Sequence, residues 1–148
     1  MRYHDALQTI NANHHCPFCR EKEEHKIHED NFMYIIPARA PYVPDHLLII
    51  PRRHVTFLQE LSHKELEALH VLVDTRAKKL HLKHSAVNLL LRDGLVGGAS
   101  GKSVNHLHFH LIPDCPIGAE ENNGPEREFL EDQAYTSLVE EIKQTYNI

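Results

Sequence analysis

Three histidines alternate with apolar residues in the run His106-Leu107-His108-Phe109-His110-Leu111-Ile112. Side chains alternate across a strand, so a strand here puts three imidazoles on one face. Leu107, Phe109 and Leu111 then look from the other face into a core. A single strand histidine is ordinarily a solvated or hydrogen-bonded side chain; three in strict alternation over apolar partners mark a reactive surface. Near neutral pH, imidazole serves as nucleophile, proton donor or acceptor, and metal ligand. Directly before the run, four of the six glycines crowd into Gly94 to Gly101, followed by Lys102 and Ser103. Such a stretch makes a flexible hairpin loop or an anion cradle. In the second case glycine lets backbone N–H groups come close, Lys102 adds a charge and Ser103 a hydroxyl. Loop and strand together suit a phosphate, with donors to hold it and imidazole to attack it.

Gly101-Lys102-Ser103 also resembles the end of a P-loop. That motif requires glycine at position 96, where Val96 stands, and a helix where a strand pattern follows, so it is rejected. The second chemical pair is Cys16-Pro17-Phe18-Cys19, with Cys115 alone elsewhere. Three cysteines and no export signal point to a reducing compartment, the cytoplasm. A Cys-x-x-Cys pair there is a redox motif or half of a metal site. The polar flanks, His14-His15 before and Arg20 to Glu24 after, favour the metal.

The elements that must carry these groups follow from pattern. A short helix over about 3–12 leads into the cysteine knuckle. Lys26 to Ile36 reads as a hairpin turning at Glu29-Asp30-Asn31. Four of the eight prolines lie between Pro37 and Pro51, so Pro37 to Pro44 is a stiff extended connection. His46 to Ile50 is a buried strand closed by Pro51. Ser62-His63-Lys64-Glu65 has capping-box spacing before a long amphipathic helix over about 62–82. Ala86 to Leu91 and Val104 to Ile112 are strands. Pro125 fits the first turn of a last helix with the stripe Tyr135, Leu138, Ile142 and Tyr146. The expected fold is α+β, an antiparallel sheet with one long helix and a C-terminal helix, in a single domain over 1–148.

Composition narrows the partners. With 148 residues, 41% hydrophobic and 25% charged, the chain suits one soluble domain. A formal charge of −5 argues against broad binding of nucleic acid. The longest aliphatic run, Leu47 to Ile50, is far short of a membrane span. Fourteen histidines are the compositional anomaly.

These segments together resemble the histidine triad (HIT) superfamily, whose signature His-φ-His-φ-His-φ-φ matches His106 to Ile112. Gly101 to Asn105 is similar to the small polar residues that precede the triad. Pro44-Asp45-His46-Leu47-Leu48-Ile49-Ile50-Pro51-Arg52-Arg53-His54 is similar to the family's Pro-x-His-φ-φ-φ-φ-Pro-x-x-His segment. The resemblance implies a HIT-like fold and a nucleotide hydrolase or nucleotidyl transferase that cleaves at the α-phosphate. Dinucleoside polyphosphates and nucleoside phosphoramidates are its substrate classes. His108 would attack phosphorus to give a covalent nucleotidyl-histidine, His110 would sit beside the phosphate and leaving group as hydrogen-bond donor or proton handler, and Gly101, Lys102 and Ser103 would hold phosphate oxygens.

In the zinc-bearing branch of the superfamily, a Cys-x-x-Cys pair joins the Pro-x-x-His histidine and the first triad histidine. The resemblance therefore implies a structural zinc on Cys16, Cys19, His54 and His106, with His14 and His15 as nearby alternatives. Residues two apart on a strand are separated by about 6.6 Å, so a metal on His106 need not touch the reaction at His108. A homodimer is implied likewise.

Two positions depart from the family pattern. Ala38 falls where an Asp or Asn often binds the ribose hydroxyls. Arg92 falls where an Asn or Gln often faces the phosphate, and would suit a more anionic substrate. Two other readings remain. A non-catalytic nucleotide-binding or scaffolding protein of the same fold is kept alive by Ala38. A metal-storage protein would explain the histidine count, and predicts several exchangeable metals per chain rather than one. Arg52-Arg53, and His63, His70, His81 and His84, read as solvated or helix-end residues, and Cys115 as an unremarkable thiol.

Overall fold

In the computed structural model, which describes residues 1–12, 15–117 and 127–148, five strands form one antiparallel sheet in the order β1-β2-β3-β5-β4. β1 (His28–Glu29) and β2 (Met33–Pro37) make the expected hairpin. Its turn is fixed by Asp30, whose Oδ1 accepts from the N–H groups of Phe32 and Met33 at 2.8 and 2.9 Å. β3 (Leu47–Pro51) pairs with β2 along its whole length, and both are buried on both faces. β5 (Phe109–Pro113) lies between β3 and β4 (Val87–Leu91), which forms the sheet's edge.

The sheet has two differently covered faces. On one, Ile35, Leu47, Ile49, Phe109 and Leu111 form the main core with α2 (His63–Leu80) and α3 (Asp132–Tyr146). On the other, Tyr34, Ile36, Ala38, Leu48 and Ile50 form a smaller cluster capped by Phe18 from the cysteine knuckle. Leu48 pairs directly with His110, which sets His110 on this second face. Helix α2 starts where its capping box requires: Glu65 N–H donates to Ser62 Oγ at 3.2 Å, and Ser62 N–H to Glu65 Oε1 at 2.9 Å. Among the described residues, no helix is long and apolar enough to cross a membrane.

Two elements differ from expectation. The strand expected over Val104 to Ile112 begins only at Phe109. Val104–His106 form a tight bend, with His106 N–H on Val104 O at 2.8 Å, and Leu107 N–H bonds to Val55 O at 2.8 Å. Pairing stops at Phe109 on both sides, opposite Leu91 of β4, which ends there, and opposite Ile49 of β3. The last helix begins at Asp132; Pro125, expected in its first turn, lies outside the described residues. Helix α1 (Tyr3–Ala12) matches its expected span. Its start is laced to the stretch before α3 by Tyr3 N–H to Arg127 O at 3.0 Å and Phe129 N–H to Met1 O at 2.9 Å.

Candidate functional site

The bend before β5 turns His106 toward the cysteine knuckle. Its Nδ1 lies 3.3 Å from Cys16 Sγ and 3.5 Å from Cys19 Sγ, while His54 Nδ1 lies 3.1 Å from Cys19 Sγ. One ligand atom from each of Cys16, Cys19, His54 and His106 falls within 4.8 Å of the others. His106 Nε2 is 2.7 Å from Pro51 O and donates to it, so the lone pair sits on Nδ1, facing the sulfurs. Burial, with the neighbouring Cys19, pushes the Cys16 thiol up to about 11, and burial pushes the His106 imidazole down to about 4. Without a cation nearby, the pair resists ionising; a divalent ion would reverse that. Two thiols and two imidazoles match a closed tetrahedral site, so the residues present fit a metal. Of the alternative ligands, His15 is exposed and outside this group, and His14 lies outside the described residues.

His108 and His110 face a cavity of about 350 Å³ on the second face of the sheet. His108 Nδ1 donates to the carbonyl of His106 at 2.7 Å, which leaves the Nε2 lone pair for a ligand. Burial holds its pKa down to about 4, against the pull of that hydrogen bond and with help from the charges of Lys102 and Arg92. A neutral imidazole with a free lone pair is the nucleophilic form.

His110 takes its tautomer from a residue the sequence reading gave no role. Tyr42 N–H donates to His46 Nδ1 at 3.2 Å, so His46 carries its proton on Nε2, 2.9 Å from His110 Nδ1. His110 therefore accepts through Nδ1 and carries its own proton on Nε2, a buried atom with no partner among the described residues. Burial and neighbouring His108, His46, Arg92 and Arg127 hold the His110 pKa well below the usual range. Burial, Arg127 and His108 push His46 down to about 3. The cavity thus offers a lone pair on His108 and an N–H on His110, with ring centres 5.0 Å apart.

The expected phosphate-binding residues are distributed differently. Ser103 lines the cavity, and its Oγ accepts from the Tyr3 hydroxyl at 2.9 Å. Lys102 is 2% exposed and turned away, its ammonium donating to Thr56 O and lying over the Phe57 ring. Arg92 donates to Ser100 O at 2.9 Å. Gly101, at φ 76°, packs so close that a Cβ there would meet the Arg92 guanidinium at 2.9 Å. Its N–H is already bonded to Gly98 O at 3.1 Å. Arg92, Gly101 and Lys102 lie outside the cavity lining; Ser103 and Ala38 lie within it.

Among the lining residues to which the sequence reading assigned no role are Tyr3, Arg39 and Arg127. They come from segments distant in the chain and belong to no spaced motif. The proline-stiffened stretch before β3 was the one local hint, for Arg39.

The family model described as HIT domain matches residues 19–116. An uncharacterized HIT-like protein of Chlamydia muridarum is 31% identical over 97 residues, covering 64% of this chain and 74% of that protein. An asymmetrical bis(5'-nucleosyl)-tetraphosphatase of Schizosaccharomyces pombe is 33% identical over 85 residues, 56% of this chain and 45% of the yeast protein. Among solved structures, a Plasmodium falciparum diadenosine triphosphate hydrolase superposes with a TM-score of 0.66 at 16% identity, covering 86% of this chain and 77% of the other. A zinc-bound histidine triad family protein from Mycobacterium smegmatis gives 0.59 at 20% identity, covering 87% and 96%.

Proposed function

This chain belongs to the HIT-domain family, and from that premise we propose that it hydrolyses or transfers nucleotides at the α-phosphate through a covalent nucleotidyl-histidine on His108. The observation that carries the reading is the pairing of tautomers: His108 presents a lone pair on Nε2 and His110 a proton on Nε2, in one cavity. His108 Nε2 attacks the α-phosphorus. The bond from phosphorus to the leaving group breaks with its electron pair on the leaving atom, toward which neutral His110 directs its Nε2–H as a hydrogen-bond donor, while water supplies any proton the leaving group needs. Water or another acceptor then displaces the histidine and gives up its proton to solvent. Ser103, the loop residue on the cavity wall, holds a phosphate oxygen. Gly101, Arg92 and Lys102 support the loop from behind, and the two charges help keep His108 unprotonated. Relatives named as a nucleosyl tetraphosphatase and a diadenosine triphosphate hydrolase agree with this substrate class.

Cys16, Cys19, His54 and His106 hold one zinc ion in this reading, which clamps the knuckle to the triad segment as a structural group. The whole of 1–148 acts as one HIT-like unit in the cytoplasm, without a membrane or nucleic-acid partner. It pairs into a homodimer, for which edge strand β4 offers Leu89, 55% exposed.

The test is mononucleotide release from dinucleoside polyphosphates, nucleoside phosphoramidates and nucleotide sugars, with His108→Ala beside the unaltered protein. Release that disappears in His108→Ala is expected. Equal rates in both would sink the covalent mechanism. Silence of the folded, metal-loaded protein on every substrate would favour a binding or scaffolding role.

A further inference from the structure

Arg127 enters the cavity beside the histidines from the stretch just before α3. Its guanidinium lies between two aromatic rings, 4.2 Å from the centre of Tyr3 and 3.9 Å from that of Tyr42. Nη1 donates to Ala40 O at 2.7 Å, and Nε is buried without a partner. Among the described residues no carboxylate pairs with it. Of the other cations in the lining, Arg39 pairs with Asp132 at 3.2 Å, and Arg20 and Lys22 are exposed; Arg92 and Lys102, outside the lining, donate to Ser100 O and Thr56 O. Ring stacking fixes the plane of a guanidinium but brings no counter-charge. A part-buried cation without an anion is costly unless a ligand brings the anion. Burial keeps His46 and His110 neutral, and the Arg127 charge adds to that effect at both.

We propose that Arg127 binds the phosphate of the leaving group, so that the site favours phosphoanhydride substrates over phosphoramidates with an uncharged amine to expel. This rests on the nucleotide reading above. When the α-phosphorus is attacked, the electron pair of the breaking bond moves to the bridging oxygen of the departing phosphate. Arg127 offsets that charge with its fork of donors while His110 donates its Nε2–H to the same oxygen as a hydrogen bond. An amine leaving group takes its proton from water and carries no phosphate for Arg127 to grip.

Two measurements test the assignment. The first compares kcat/KM for diadenosine triphosphate and adenosine phosphoramidate in the unaltered protein, Arg127→Met and Arg127→Lys. Arg127→Met should lose about 100-fold on the triphosphate and no more than about threefold on the phosphoramidate, with Arg127→Lys between, because one preorganised charged donor is worth that much. Equal losses on both substrates would make Arg127 a merely structural residue, and no loss on either would also overturn the proposal. The second is calorimetric titration with inorganic tripolyphosphate, which needs no turnover. Binding should weaken by about tenfold or more in Arg127→Met, the loss of a charge-assisted pair; equal affinity overturns the proposal. Arg127-dependent tripolyphosphate binding without turnover of any nucleotide would sink the hydrolase reading and leave this anion site standing.

Discussion

His46 Nε2 lies 2.9 Å from His110 Nδ1, and a backbone N–H occupies the other nitrogen of His46. Protonation is therefore ordered from the main chain inward: Tyr42 decides which nitrogen of His46 bears hydrogen, and His46 decides for His110. Replacing His46 by Ala should free His110 to take either tautomer. kcat is expected to fall by about 100-fold or more with KM little changed, as when a tautomer-fixing partner is lost elsewhere. His46→Gln, whose amide can still donate, should recover part of the loss. Steady-state kinetics on the three proteins checks this, and unchanged kcat in His46→Ala would show that His110 holds its tautomer unaided.

Metal analysis separates a structural ion from storage. One tightly held zinc per chain is expected, and Cys16→Ser should bind it poorly. Since the ligands tie the knuckle to the triad segment, both Cys16→Ser and chelator treatment should lower the melting temperature. Several exchangeable ions per chain, or chelation without a thermal effect, would contradict the structural role.

The pH dependence of stability has two arms of opposite sign. His84 sits between Asp45 and Asp114, at 2.6 and 2.8 Å. Burial opposes its charge, but bonds to the two carboxylates outweigh burial and raise its pKa. Its contribution is thus fully present below the unfolded value of about 6.5 and disappears as pH rises through the folded value. Buried His46 and His108, at about 3 and about 4, work the other way. The unfolded chain protonates them first, so stability falls as pH drops below about 6.5. Denaturant unfolding of His84→Gln should show a loss at about pH 6 that shrinks at alkaline pH, as the folded imidazolium gives up its proton. An equal deficit at both pH values would remove the imidazolium from the account.

Helix α2 offers a stability test away from the chemistry. Ser62→Ala removes the cap on Glu65 N–H and should cost about 1 kcal/mol in chemical denaturation. Glu65→Ala should cost more. Its carboxylate also receives Arg53 Nη2 at 2.7 Å, next to the ligand His54, as well as Ser62 N–H. A smaller loss in Glu65→Ala than in Ser62→Ala would show that the Arg53 contact contributes nothing.

Local pattern made much of this legible. Alternation in Leu107, Phe109 and Leu111 does deliver those residues to the main core, and the capping box starts α2 where Ser62 requires. The four spaced ligands converge as the family pattern implies. What pattern missed depends on groups that meet only after folding. Period-two spacing cannot report that pairing of β5 with both β3 and β4 stops at Phe109, where the chain before it bends away. Lys102 reads as a free cation in the sequence, yet Thr56 O takes its ammonium. His84 reads as a solvated helix-end residue because its two carboxylates lie 39 and 30 positions away. Arg127, Tyr3 and Tyr42 form their stack across most of the chain, where no spacing rule reaches.

The four residues proposed to hold a metal also bear on the order in which the chain can find its shape. Cys16 and His106 are 90 positions apart, and Cys19 and His54 are 35. An ion gripped by all four ties two nested loops at one knot, and the unfolded chain loses the conformations in which those ends drift apart. Because His106 is the last of the four to leave the ribosome, the knot can close only when most of the protein has been synthesised. Until then, on the proposed zinc site, each nascent chain would carry a half-built chelate, open to whichever soft cation arrives first.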